Sequence, residues 1–268
     1  MVITSIAFGS AIGLILGLTG AGGGILAVPA LVLGIGLSMT QAMPVALMAV
    51  GAAALLGALD GLRKGLVRYK AAFLMAALGA IVSPLGMWIA HRTSTRLLMM
   101  MFSVVMLIVA IRMIQQARAA ANSPESTPDR HKHCMINPAT GRLRWTCKSS
   151  STLAAIGSVS GLFTGMLGVG GGFLIVPAFK QFSNISMQGI VATSLMVIAL
   201  ISASSVAGAL LAGQQIPPEG WCFIAAAAGG MLLGRRIAPK VPEKWLQIGF
   251  ATITLIISVK LISSAFFM

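Results

Sequence analysis

Gly17-Leu18-Thr19-Gly20-Ala21-Gly22-Gly23-Gly24-Ile25-Leu26-Ala27-Val28-Pro29-Ala30 returns 148 residues later as Gly165-Met166-Leu167-Gly168-Val169-Gly170-Gly171-Gly172-Phe173-Leu174-Ile175-Val176-Pro177-Ala178. Between 13–39 and 161–187, 13 of 27 residues are identical without a gap. A repeat of this quality fixes the architecture before any local reading does. At the same offset Leu47-Met48 pairs with Leu195-Met196, Gly86 with Gly234, Phe102 with Phe250 and Arg112 with Lys260. The chain therefore divides into a first transmembrane repeat (1–118), a linker (119–150) and a second transmembrane repeat (151–268).

Apolar residues make up 57% of the 268-residue chain and charged residues 9%, with a mean hydropathy of +0.94. A soluble globule could not cover itself with so little polar surface, so the solvent is the lipid bilayer. Apolar runs at 3–36, 41–59, 71–90, 97–111, 151–179, 187–212, 221–234 and 245–259 include several long enough to span it. Without strand-like alternation, helices are the spanning element. The fold class is an all-α integral membrane protein of two homologous repeats. The N-terminus lacks the basic segment of a secretory signal and belongs to the first repeat, so no cleavage is expected.

The formal net charge of +14 sits in short segments between apolar runs, which marks topology and not nucleic-acid binding. Basic clusters at 63–70, across the linker and at 235–244 identify cytoplasmic loops, whereas 213–220 carries Glu219 and no base. With that assignment loop 63–70 is cytoplasmic while its equivalent, 211–218, is external, which makes the repeats inverted. Loop 91–96, with Arg92 and Arg96, is the exception. Each repeat then needs an odd number of crossings, and its Gly-rich opening must be a broken helix or hairpin that enters and returns. Local chemistry supports this, because three consecutive glycines weaken a helix and Pro29 and Pro177 suit its interior poorly. Breaks are expected near Gly22–Gly24 and Gly170–Gly172, followed by half-helices over 25–36 and 173–182. The linker, with the turn-rich stretches 122–129 and 137–141, should lie in the cytoplasm. Trp88, Trp221 and Trp245 read as interfacial anchors, and Arg112 and Lys260 as snorkelling cations.

A half-helix that starts in the membrane presents free N–H groups and a positive dipole end, which accept an anion without a charged side chain. The candidate substrate-binding residues are therefore Gly22, Gly23 and Gly24 with Gly170, Gly171 and Gly172. Thr19, Thr164, Thr193 and Ser194 are added as hydroxyl donors. Against this stands close helix packing, the ordinary use of small residues in membranes, and for Thr193 and Ser194 the bonding of a hydroxyl to its own helix. Asp60 is the only acidic residue near a span, beside Arg63 and Lys64, and reads as their interfacial partner. The scarcity of intramembrane carboxylates points to an anionic or neutral substrate; proton or sodium coupling would fall to Asp60 or to backbone carbonyls.

His131-Lys132-His133-Cys134 and Cys147 supply metal-ligand types without zinc-site spacing, so no metal and no cofactor is expected. Three cysteines make no disulfide framework. The spans hold neither H-E-x-x-H nor G-x-S-x-G, and Cys222 has no histidine with it, so the chain does not read as an enzyme. Nothing in the sequence sets an oligomeric state.

With its doubled Gly-rich segments, each continuing into Val-Pro-Ala, and with Ala192-Thr193-Ser194-Leu195, the chain resembles the sulfite exporter TauE/SafE family of bacterial membrane proteins. The linker segment Ile136-Asn137-Pro138-Ala139-Thr140-Gly141-Arg142-Leu143 is similar to one branch of that family. The resemblance implies an inner-membrane transporter, exporter or importer, of small anions such as sulfite, sulfonates or related organic anions, working by alternating access around a central Gly-rich site. An anion channel, a membrane subunit of a larger complex and, last, an intramembrane enzyme are the rival readings. One departure matters: Pro44-Val45-Ala46 stands in the first repeat where the second has Ala192-Thr193-Ser194, so hydroxyls there would come from one repeat only.

Overall fold

A computed structural model describes residues 2–20, 22–122, 146–183, 185–211, 213, 217–238 and 243–267. The linker turns, the His131–Cys134 cluster, Lys240 and the side chain of Trp245 lie outside the described residues. Among the described residues all secondary structure is helical apart from an isolated bridge at Ser183. In each repeat a first helix is followed by a short one and three long ones: α1 (Val2–Thr19), α2 (Ala27–Pro29), α3 (Met39–Arg63), α4 (Tyr69–Arg92) and α5 (Thr95–Asn122), then α6 (Cys147–Leu167), α7 (Gly172–Phe182), α8 (Met187–Leu211), α9 (Pro218–Ile237) and α10 (Glu243–Phe267). A 3-10 turn over Gly22–Leu26 and a π-helical turn over Ala30–Ile35 flank α2 and make with it one short apolar helix, Gly23–Ile35.

Seven of the described helices are long and apolar enough to cross a membrane: α1, α3, α4, α6, α8, and parts of α5 and α10. The run at 221–234 lies in α9, which is not among them; Glu219 in its first turn and Arg235 and Arg236 in its last shorten its apolar stretch. Chain ends of these helices follow from local chemistry. Gly20 (φ +85°) and Gly168 (φ +72°) take the left-handed conformation that stops α1 and α6. Ser38 caps α3 in a reciprocal box, its hydroxyl accepting from the Gln41 amide while Gln41 Oε1 accepts from the Ser38 amide.

α3 and α8 form the centre, with 61% of each spanning window buried against 33–44% for the other five candidate spans. They run antiparallel, since Gly51 meets Ser202, Gly57 meets Leu195 and Gly61 meets Ala192. These two helices are equivalents at the 148-residue offset, so the crossing relates the halves by an approximate twofold passing near Ala52 and Leu200. The flanking pairs obey the same exchange. α1 packs on α9 of the other half, and α6 packs on α4.

Both flanking contacts are glycine ladders with a four-residue step. Gly9, Gly13 and Gly17 lie on Phe223, Ala227 and Met231; Gly157, Gly161 and Gly165 lie on Met75, Gly79 and Ser83. A Cβ at Gly9 would stand 2.6 Å from the Phe223 carbonyl oxygen, and one at Gly13 would collide with that of Ala227. In lipid, where no hydrophobic force draws helices together, such backbone-to-backbone approach supplies the dispersion that holds them. Hydroxyls add to it: Ser83 and Ser205 share a 2.6 Å hydrogen bond between α4 and α8, and Ser258 donates to the Ser103 carbonyl between α10 and α5. Ion pairing closes one end. Asp60 of α3 accepts from Lys64 (2.9 Å) and from Arg235 of α9 (2.8 Å), while Arg235 Nη1 also donates to the Gly57 carbonyl. The sequence placed Asp60 with its neighbouring bases but gave no sign of Arg235, which lies in the other repeat.

Trp88 and Trp221 are more than half exposed, as lipid-interface anchors are, and Arg92 stacks over the Trp88 ring at 4.3 Å. The ladders make a testable demand. Gly13→Leu and Gly161→Leu should each lower the melting temperature in detergent by about 6 °C or more, from overpacking of roughly 3 kcal/mol. Gly229→Leu on α9, where a side chain meets open space, should leave it within about 2 °C by the same conversion. Equal melting of all three variants would contradict the packing.

Candidate ligand site at the paired helix breaks

The two breaks are built differently. In the first repeat the Thr19 hydroxyl donates to the Ile15 carbonyl (2.8 Å) and accepts from the Gly23 amide (3.2 Å). Thr19 thus caps the next turn, and helix resumes at Gly22. The second repeat has Leu167 at that position, with no hydroxyl to offer. There the chain stays open through Gly170 (φ +74°) and Gly171 (φ +63°), and α7 begins only at Gly172. Ser160 steadies this opening by donating to the Gly171 carbonyl at 3.1 Å. The same carbonyl accepts from the amides of Leu174 and Ile175, so the Gly172 and Phe173 amides stand ahead of the first backbone bond. α7 is 11 residues, about 16 Å, half a hydrocarbon core.

These breaks converge on the α3–α8 crossing. A Cβ at Gly24 would stand 2.9 Å from the Val169 carbonyl oxygen and 3.1 Å from Val50 Cγ1. One at Gly170 would lie 3.1 Å from the same Val50 methyl, 3.0 Å from Ile198 Cγ2 and 3.4 Å from Ser202 Oγ. Val50 and Ile198 are equivalents at the repeat offset, so the junction sits on the approximate twofold. No charged side chain touches Gly24 or Gly170 among these nearest contacts.

The expected site residues divide between the junction and its scaffold. Gly24 and Gly170 lie against the same Val50 methyl at the centre, and Gly172 opens α7. Gly22 opens the 3-10 turn. Gly23 packs on its own α1, where a Cβ would stand 2.5 Å from the Leu16 nitrogen. Gly171 packs on α6 against Ser160 and Thr164. The Thr164 hydroxyl donates to the Ser160 carbonyl, and that of Ser194 to the Val191 carbonyl. Thr193 donates to the Gly189 carbonyl and accepts from the Arg68 amide (3.1 Å), tying α8 to loop 64–68. It lies nine residues from Ser202, about 13 Å of helical rise. The second-half hydroxyl that does face the junction is Ser202, which the sequence reading did not single out; its only mark was a serine where the first repeat has Ala54.

Cavities lie toward both ends of the bundle. At the end that carries Arg63, Lys64 and Arg235, a cavity of about 370 Å³ lies between α5, α7, α8 and α10, with Arg112, Gln181, Thr19 and Phe173 in its lining. Toward the other end lie a cavity of about 30 Å³ whose lining includes Met43 and Leu98, the repeat equivalents of Val191 and Leu246 in the larger one, and another of about 330 Å³ between α4 and α8 that shares Met87 and His91 with it. Among the described residues no group of His, Cys, Asp and Glu could hold a metal ion.

Residues 5–261 match the family described as sulfite exporter TauE/SafE. Two proteins named "Probable membrane transporter protein", from Xylella fastidiosa strain 9a5c and strain Temecula1, are each 30% identical over 197 residues, 73% of this chain and 69% of theirs. No solved structure matches the chain significantly. The match runs through both Gly-rich breaks and all ten helices, and the chain belongs to the sulfite exporter TauE/SafE family of membrane transporters.

Proposed function

We propose that the protein is a secondary transporter of small anions such as sulfite, sulfonates or related organic anions, working by alternating access around the junction of the two breaks. The observation that carries this reading is that Gly24, against the Val169 carbonyl, and Gly170 both lie on the same Val50 methyl at the crossing of α3 and α8. An anion there would face the first-turn amides of α7 and the positive ends of two half-helices, in surroundings where such partial charges are not screened by water. With no fixed cation the site binds weakly enough to release its cargo, as turnover requires. The proposed site comprises Gly22, Gly23 and Gly24, Gly170, Gly171 and Gly172, with Thr19 and Thr164 shaping the breaks. Thr193 and Ser194, whose hydroxyls are engaged near loop 64–68, are left out.

In this reading 1–118 and 151–268 are inverted repeats; the antiparallel crossing of α3 with its own equivalent α8 supports it. The end bearing Arg63, Lys64 and Arg235 faces the cytoplasm of a cell with this protein in its inner membrane, and the linker 119–150 lies on that side. The cavity of about 370 Å³ at the cytoplasmic end is read as the inward opening, since the one lined by Met43 and Leu98, equivalents of its Val191 and Leu246, is only about 30 Å³. Exchange of the two arrangements between repeats would give the outward-open state. Asp60, already paired with Lys64 and Arg235, is a poor candidate for proton or sodium coupling, which weighs toward backbone carbonyls or no coupling ion.

Two measurements test this. Proteoliposomes holding the purified protein should take up radiolabelled sulfite saturably, with sulfonates competing; flux that rises linearly with concentration would support a channel, and none for any of these anions would contradict the reading. In a cysteine-free background, Gln181→Cys should react with a membrane-impermeant thiol reagent from the cytoplasmic face and Met43→Cys from neither face. Labelling of Met43→Cys from outside at the same rate would contradict an inward-open resting state.

A further inference from the structure

Among the described residues only two buried side-chain polar atoms lack a hydrogen-bond partner: Arg68 Nε in loop 64–68, and Ser202 Oγ at the junction. Ser202 is 1% exposed. Its position is unusual within its own helix. Thr193, Ser194, Ser204 and Ser205 all bond back to a carbonyl three or four residues earlier, the usual way for a helical hydroxyl buried away from water to be satisfied. Ser202 does not. Its Oγ instead lies 3.4 Å from where a Gly170 side chain would begin and 3.6 Å from the corresponding point of Gly51. Both positions are glycine, so the hydroxyl has glycine on each side and aims at the opening before α7.

A buried hydroxyl left unpartnered carries a free-energy cost that a purely structural residue would shed. The repeat supplies the control, because Ala54 occupies the equivalent place in the first half and is fully buried without any polar atom. The fold therefore tolerates alanine in this environment. Ser202 adds to the second half an unpartnered hydroxyl beside Gly170, two residues before α7 begins.

We infer that Ser202 is a specificity-determining residue whose hydroxyl donates to a singly charged oxyanion held at the first turn of α7. The inference rests on the anion-transport reading above and adds the charge state of the cargo. Each half-helix end supplies only about half a positive charge, and the desolvation cost of an ion grows with the square of its charge. A monoanion such as hydrogen sulfite or an alkylsulfonate can be balanced by that much; a dianion such as sulfate cannot.

The test compares wild type with Ser202→Ala in proteoliposomes, using labelled sulfite with methanesulfonate and sulfate as competitors, and measures the melting temperature of both proteins in detergent. Wild-type uptake should be competed by methanesulfonate and not by sulfate. Ser202→Ala should raise the KM for sulfite about tenfold or more, the loss of a hydrogen bond to a charged group, while melting at the same temperature or higher because a buried unpartnered hydroxyl is gone. A structural role would show the reverse pattern, a lower melting temperature with KM unchanged. Wild-type transport with an unaltered KM in Ser202→Ala, or equal competition by sulfate, overturns this assignment alone. Absence of wild-type uptake of any of these anions overturns the transport reading and this inference with it.

Discussion

A helix cannot stop inside a membrane unless something other than lipid meets its free backbone groups. Each unpaired N–H or carbonyl in hydrocarbon costs several kcal/mol. The breaks after Thr19 and Leu167 exist because protein surrounds them, and the arrangement of the bundle follows from that need. α3 and α8 cross behind the breaks and are the most buried spans. Glycine ladders at Gly9, Gly13, Gly17 and at Gly157, Gly161, Gly165 draw each first helix onto the opposite half. Each break is covered from both halves: Gly23 and Gly171 pack on their own first helices, while Gly20 meets Val191, Gly168 meets Met43 and Gly24 meets Val169 of the opposite half.

The duplication is exact enough to bring equivalents together at the centre, and its departures from symmetry are where chemistry enters. Thr19 caps the first break and Leu167 leaves the second open, so the amides most available to a ligand are those of α7. Ser202 offers a hydroxyl where Ala54 offers none. Asp60 and Arg235 join α3 to α9 at one end of the bundle, whereas their equivalents Gly208 and Met87 cannot join α8 to α4 at the other. Charge therefore ties the two halves together at one end of the bundle and not, through the equivalent positions, at the other.

Composition alone made the all-helical membrane class legible, and the repeat offset made it clear which segments correspond. The short helices after each Gly-rich segment could be foreseen because three glycines and a proline act locally, through backbone conformation. Helix partnership could not. The four-residue glycine step is visible in the sequence, but that α1 lies on α9 and α6 on α4 depends on side-chain volumes distributed over the whole bundle. Asp60 illustrates the same limit: its i+4 partner Lys64 follows from helical geometry, while Arg235 is 175 positions away and no local rule connects them. Thr193 and Ser194 drew attention as a polar pair in an apolar run, yet their hydroxyls are satisfied within their helix and by loop 64–68. Ser202 looked unremarkable until its surroundings showed that, unlike its neighbours, it bonds to nothing.

The central claim is that an anion occupies the junction between Gly170–Gly172 and Ser202. Anomalous diffraction from crystals of the protein equilibrated with selenite, the heavier analogue of sulfite, tests it directly. The account expects a selenium peak within hydrogen-bonding reach of the first-turn amides of α7 and of Ser202 Oγ. Selenium found only beside surface arginines and lysines, with the junction empty in protein competent for uptake, would contradict it.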